Sequence, residues 1–157
     1  MATKGYSGAG TVLSIGGVTD GSTTETFTEI LQVKTPNFSG AEATYDKITN
    51  LSSPKSGKAV VDELMPTTIS SGTLELEGIY LPTDAGQAAL NTAFATQDAY
   101  DFKVTLPVGP GQSTTGNVYS FSAYVKSPLL PIISVDKATT FKTTLQITGI
   151  ITLTLGA

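Results

Sequence analysis

The chain contains no cysteine, no histidine, no tryptophan and no arginine, and all nine basic residues are lysine. Each absence removes a class of chemistry. Without cysteine there are no disulfides, thiolate metal sites or cysteine nucleophiles. Without histidine there is no Ser–His–Asp relay, and the usual general base and zinc ligand is missing. Without arginine the bidentate phosphate fork and the commonest base-reading side chain are gone. Charge is scarce as well, at 14% of residues against about 25% in an average soluble domain. The net formal charge of −4 offers no cation cluster to hold a polyanion by counterion release. The longest apolar run, Pro128–Val135, is broken at Pro131 and falls far short of the ~18 residues of a spanning helix. Met1–Gly10 has no apolar stretch of the secretory kind, so the expectation is a soluble protein made in a cytoplasm.

Hydroxyls and glycine take the place of charge. The 157 residues include 26 Thr, 14 Ser and 16 Gly. A surface wetted by hydroxyls suits either a Thr-rich β-protein or a subunit largely hidden against partners. The length fits a single domain over residues 1–157 with a sizeable core.

The dominant hydrophobic period is two. Phe141–Leu155 sets Phe141, Leu145, Ile147, Ile151, Leu153 and Leu155 on one parity. Lys142, Thr144, Gln146, Thr148, Thr152 and Thr154 take the other, which predicts a long half-buried strand with Gly149 marking a bulge or a close approach. Thr26–Lys34 is predicted to place Phe27, Leu31 and Val33 on one face. Gly72–Tyr80 sets Leu74 and Leu76 opposite Glu75 and Glu77. Tyr100–Leu106 sets Phe102, Val104 and Leu106 opposite Asp101, Lys103 and Thr105, and Asn117–Lys126 sets Tyr119, Phe121, Ala123 and Val125 opposite Ser120, Ser122 and Tyr124. Thr11–Ile15 and Glu42–Thr49 are weaker strand candidates.

One segment reads as helix. Asp84 with Gln87 three residues on forms a capping-box pattern. Ala85, Ala88, Ala89, Leu90, Ala93 and Phe94 then supply an apolar stripe to about Thr96 or Gln97. The predicted fold class is mainly β, an antiparallel β-sandwich or barrel with one flanking α-helix. Two stretches read as irregular. Gly16–Thr24 carries the turn signal Asp20-Gly21. Asn50–Thr68 is long for a connection and holds the apolar cluster Val60, Val61, Leu64 and Met65, which suits a loop that docks on another surface.

Candidate catalytic motifs fail their own context tests. Val108–Gly116 is glycine-rich but lacks a following lysine and helix, so it reads as a hairpin loop. The Ser-x-x-Lys pairs Ser52/Lys55 and Ser134/Lys137 lack the companion motifs of acyl-enzymes. Glu75 and Glu77 share a strand face at roughly 6.5–7 Å, yet glycosidase carboxylates come from different elements. Asp62-Glu63 and Asp20-Gly-Ser lack the ligand pattern of a metal loop. The strand-face aromatics have no basic surround, so they read as core rather than as base-stacking platforms. The chain is therefore read as a non-enzyme with no cofactor and no metal.

From the helix onward the order of segments resembles the major tail (tail tube) proteins of long, non-contractile-tailed bacteriophages. The resemblance rests on Leu74–Gly78, Asp84–Leu90, Asp101–Pro107, Phe121–Val125 and Thr144–Gly149, with Gly10–Ile15 and Thr28–Val33 fitting upstream. It implies a β-sandwich-like fold similar to contractile-tail tube proteins and to the ring protein of type VI secretion. It also implies a structural subunit of the virion tail, six copies to a ring, with rings stacked into a tube that carries DNA. Implied partners are further copies of itself and the tape-measure, tail-tip and tail-terminator proteins. DNA passes without specific binding, and no membrane is involved. The inter-ring loop would be 50–68, with contacts from Leu51, Val60, Val61, Leu64 and Met65. Leu64-Met65-Pro66 departs from the family there, where many members have aromatic–Pro–Gly. An acidic channel would present Glu75, Glu77, Thr144, Gln146 and Thr148. The alternative reading is an autonomous β-sandwich binding, adhesion or decoration module.

Overall fold

The computed structural model describes residues 7–19 and 25–157. The Asp20-Gly21 turn and the Asp20-Gly-Ser segment lie outside them. Chain order runs β1 Val12–Val18, β2 Thr28–Glu29, β3 Asn37–Ser39, β4 Glu42–Lys47, β5 Lys55–Ser56, β6 Ala59–Val60 and β7 Leu64–Ser70. It continues with β8 Thr73–Ile79, α1 Ala85–Thr96, β9 Tyr100–Thr105, β10 Val118–Val125, β11 Pro131–Ile132 and β12 Thr140–Thr154.

The main sheet is antiparallel in the order β2-β1-β9-β10-β12-β8-β3, with β11 pairing β12. Its two edge strands belong to one stretch of chain, residues 28–39. At one edge the Ile30 N–H donates to the Leu13 carbonyl at 2.8 Å. At the other, the Lys34 N–H donates to the Glu77 carbonyl at 2.7 Å, and Val33 bridges Gly78. The sheet thus curls until a single crossing segment spans both edges, which leaves little free edge. This is the expected antiparallel sandwich or barrel with one helix.

The inward positions make one core. Leu13, Ile15, Leu74, Leu76, Phe102, Phe121, Val125, Phe141 and Leu145 are buried there with Leu90 and Ala93 of α1. Phe102 and Phe121 stack at 5.7 Å, and Phe38 from the crossing segment meets Phe121 edge-on at 5.6 Å. Burial of each large apolar side chain contributes about 1.5–3 kcal/mol.

The crossing segment corrects one expectation. Thr26–Lys34 is not a continuous strand: only Thr28–Glu29 is extended, and the chain turns at Gln32, φ 61°. Ile30 is 3% exposed and Leu31 43%, the reverse of the predicted face. The helix start is the cause. The Asp84 carboxylate accepts from the Leu31 N–H at 3.2 Å, and the Gln87 amide donates to the Leu31 carbonyl at 3.1 Å. Side chains of α1 therefore capture backbone groups that a ladder would otherwise use. Gly86 permits the approach, since a Cβ there would collide with the Glu29 carbonyl.

The cap itself is half a capping box. Asp84 accepts from the Gln87 N–H at 3.0 Å, but the Gln87 side chain serves Leu31, Ile79 and Leu81 instead of returning to the cap. Ala85 and Ala88 face solvent rather than the core, because Gly86, Gln87, Leu90 and Ala93 form the packed stripe. β1 runs on through Gly16, where an irregular stretch was expected to begin.

A second correction concerns β12. Its alternation holds from Phe141 to Ile147 and then fails at Gly149, which has φ 77°. Register against β10 jumps there, from Ser122↔Thr148 to Ser120↔Thr152. This is the bulge that the sequence predicts; a Cβ at Gly149 would meet nothing within 4 Å, while its carbonyl accepts from the Ser71 hydroxyl. Past it, Leu153 is 45% exposed and Leu155 is exposed, so the two do not continue the buried face.

Candidate functional site

The predicted irregular stretch 50–68 holds the β5–β6 hairpin and most of β7, and β7 pairs with β4, which falls in the predicted strand Glu42–Thr49. β4 and β7 form a separate two-stranded ribbon, with the β5–β6 hairpin at its far end. Every residue of β4 and β7 is exposed. The unit is therefore an arm, Glu42–Ser70, standing off the core.

Register shows that the arm is two-faced. Opposed residues share a face, so Ala43 sits with Ile69, Tyr45 with Pro66 and Lys47 with Leu64. The other face holds Glu42 with Ser70, Thr44 with Thr68 and Asp46 with Met65. A bulge at Thr67 shifts the parity of β7, which is what brings Leu64 to the same face as Ile69. Tyr45, Leu64 and Ile69 are 60%, 59% and 81% exposed. A lone two-stranded ribbon is marginal in water, and an apolar face on one calls for a partner surface.

The arm tip is held by polar contacts. The Ser53 hydroxyl donates to the Glu63 carboxylate at 2.9 Å and accepts from the Asn50 N–H at 2.9 Å. Lys47 and Asp62 pair at 2.8 Å. This network carries Leu51, Val60 and Val61 at the tip, all exposed. Of the five predicted contact residues, Leu64 lies on the apolar ribbon face, Met65 on the polar one, and three at the tip. Tyr45 and Ile69 were missed. The weak alternation of Glu42–Thr49 was the available signal for Tyr45; nothing in the sequence marks the Thr67 bulge that sides Ile69 with Leu64.

The second surface is the outward face of β8, β12, β10 and β9. Glu77 opposes Lys142, and Glu75 opposes Thr144. Gln146 opposes Tyr124, and Thr148 opposes Ser122, which opposes Asp101. Ser120 opposes Lys103. The five residues predicted for a channel therefore do share one face. Gln146 also braces the fold, because its amide donates to the Gly72 carbonyl at 3.1 Å, at the base of the arm. The face is not purely acidic, since Lys103 and Lys142 alternate with Glu75, Glu77 and Asp101. Burial by itself raises the Asp101 pKa, but hydrogen bonds from Ser122, Thr19 and Glu25 outweigh it and hold the carboxyl below its ordinary value. The Thr19 and Ser122 hydroxyls each donate to Asp101 Oδ1 at 2.8 Å.

A third feature is an apolar cleft of about 820 Å³ beside Phe38, walled by Leu13, Ile30, Val33, Val104 and Tyr119. Among the described residues no three His, Cys, Asp or Glu side chains cluster in a way that could hold a metal ion. Among the described residues, too, no helix is long and apolar enough to cross a membrane.

Solved structures align over nearly the whole chain. The sheath/tube terminator of the PVC extracellular contractile injection system aligns at TM-score 0.63 and 14% identity, covering 98% of this chain and 99% of that one. A chain from the tail of an empty GTA particle, refined with C6 symmetry, aligns at 0.64 and 15%, covering 98% and 100%. The tube-terminating cap of the anti-feeding prophage aligns at 0.67 and 10%, covering 99% and 95%. This is the tail-tube fold. The SPP1 tail tube protein shares it at TM-score 0.54, covering 94% of this chain and 77% of that one. Identities this low establish the fold and nothing finer. No protein-family model and no curated protein sequence matches the chain.

Proposed function

We propose that this chain is the structural subunit of a hollow tail tube. Six copies close a ring, rings stack through the arm, and the polar sheet face lines a bore through which DNA passes without being bound. The observation that carries the reading is the arm, an ordered ribbon whose apolar face of Tyr45, Leu64, Pro66 and Ile69 is left uncovered by the described residues of its own chain. The cleft beside Phe38 is a second apolar surface, elsewhere on the molecule. Two unlike surfaces left open on one chain suit head-to-tail contacts, which generate rings and filaments rather than closed dimers. The C6 symmetry of the GTA tail supports six copies per ring. The low charge and abundant hydroxyls suit a subunit covered on most sides. Tape-measure, tail-tip and terminator proteins are the expected partners, and the virion tail the expected location.

Negative-stain electron microscopy of concentrated protein tests this. Hollow tubes are the expected result. Rings that never stack would favour a terminator or cap, the role named for two of the structures sharing the fold. Small monodisperse particles, persisting when tail-tip components are added, would overturn the tube reading in favour of a binding or decoration module.

A further inference from the structure

We propose that Glu77 and Phe27 restrain Lys142 and Lys103 on the polar sheet face, so that the face passes a polyanion without gripping it. The inference rests on reading that face as the wall of the bore. A lysine on a bore wall is a hazard, because its flexible four-carbon stem lets the ammonium reach a passing phosphate. One such contact per subunit, repeated around a ring, would make a clamp.

The two lysines are occupied in different ways. Lys142 stands directly across the ladder from Glu77, with Nζ 4.0 Å from Oε2. The pair is exposed and adds little stability; what it does is hold a carboxylate beside the ammonium. Lys103 has Nζ 4.0 Å above the centre of the Phe27 ring. Gly16 makes room for this, since a Cβ there would lie 2.9 Å from Phe27 Cε1. The ring therefore lies against the sheet and covers the lysine. Asp101 sits beside Ser122, two residues along β10 from the Ser120↔Lys103 pair, so a second carboxylate flanks that site.

The test measures binding of a short fluorescent duplex DNA to the purified full chain by anisotropy, across a salt series. Glu77→Gln frees Lys142 and is expected to tighten binding, with the log–log salt slope steeper by about one. Asp98→Asn, an exposed site off the face, makes the same change in net charge and is expected to do neither. Glu77→Gln with Lys142→Gln returns binding to the parent level. Phe27→Leu keeps the charge and the bulk but removes the ring, and is expected to tighten binding through Lys103. Equal effects of Glu77→Gln and Asp98→Asn would overturn the proposal, as would a Phe27→Leu variant indistinguishable from the parent. Microscopy of the same samples judges the tube reading separately. A parent that never forms tubes refutes the bore, while the DNA titrations still report whether Glu77 and Phe27 restrain the lysines.

Discussion

Gly40 and Gly72 meet at the base of the arm, both with positive φ, 75° and 80°, and a Cβ on Gly40 would lie 3.8 Å from the Gly72 Cα. Just beyond them Ser39 already pairs with Thr73. Positive φ at two successive central residues is what a two-residue type I′ hairpin demands. The neck thus has the geometry of a tight β3–β8 turn into which the arm has been inserted.

Deleting residues 41–71 should therefore leave Ser39-Gly40-Gly72-Thr73 as a native-like hairpin. The deletion removes the hydrogen bond from the Ser71 hydroxyl to the Gly149 carbonyl, a loss of about 1 kcal/mol. The expected product is a folded monomer with cooperative thermal unfolding and no tubes at concentrations where the parent assembles. Light scattering and microscopy read this directly. Tubes from the deletion variant would show that stacking does not use the arm.

Gln87 holds more of the fold together than the cap beside it. Its side chain accepts from the Leu81 N–H at 2.9 Å and donates to the Ile79 and Leu31 carbonyls at 3.0 and 3.1 Å. Its side chain is buried, and Gln87→Ala leaves three part-buried backbone groups without their partner. The expected loss is about 2–4 kcal/mol in urea unfolding. Asp84→Ala, which removes the N-cap bond and one bond to Leu31, should cost about 1–2 kcal/mol. Equal losses would mean that the helix start, not the crossing segment, is the weak point.

Leu145 and Leu153 have the same parity on β12 but different fates. Leu145 is fully buried opposite Leu74, whereas Leu153 lies past the Gly149 bulge. Leu145→Asp buries an unpaired charge and should leave no folded protein. Leu153→Asp should fold, with a loss of about 1 kcal/mol or less. Circular dichroism separates the two. A folded Leu145→Asp variant would show that the assignment of faces on β12 is reversed.

The strands that alternate cleanly over a half-buried sheet were legible: β8, β9, β10 and the first part of β12 each follow a period of two. The helix was legible from Asp84 and the alanines. What escaped was set by contacts distant in sequence. Thr26–Lys34 reads as one strand, but Asp84 and Gln87, more than fifty residues on, take the backbone of Leu31. Leu153 and Leu155 read as core because a period cannot see the phase shift at Gly149. Glu42–Thr49 was legible as a weak strand, but residues 50–68 of the arm read as a loop because both ribbon faces are wet, so no buried side disciplines the pattern. For the candidate surfaces, the polar sheet face follows from alternation alone, whereas the pairing of Lys142 with Glu77 needs the register.

The Asp101 carboxyl makes stability depend on pH. Its pKa in the folded chain lies below the unfolded value because the Ser122 and Thr19 hydroxyls and Glu25 together outweigh the cost of its partial burial. A carboxyl shifted down stabilises the fold at pH values above the unfolded pKa of about 4 and loses that contribution as pH falls through the folded value. Ser122→Ala removes one 2.8 Å hydrogen bond to Oδ1. The Asp101 pKa should then rise towards its ordinary value, and acid unfolding should begin at a higher pH than in the parent. Asp101→Asn should flatten the dependence over that range, since the amide does not titrate. Carboxyl-carbon NMR titration reads the first outcome and urea midpoints against pH the second. An Asp101 pKa that does not move in Ser122→Ala would show that Thr19 and Glu25 alone hold the carboxyl down.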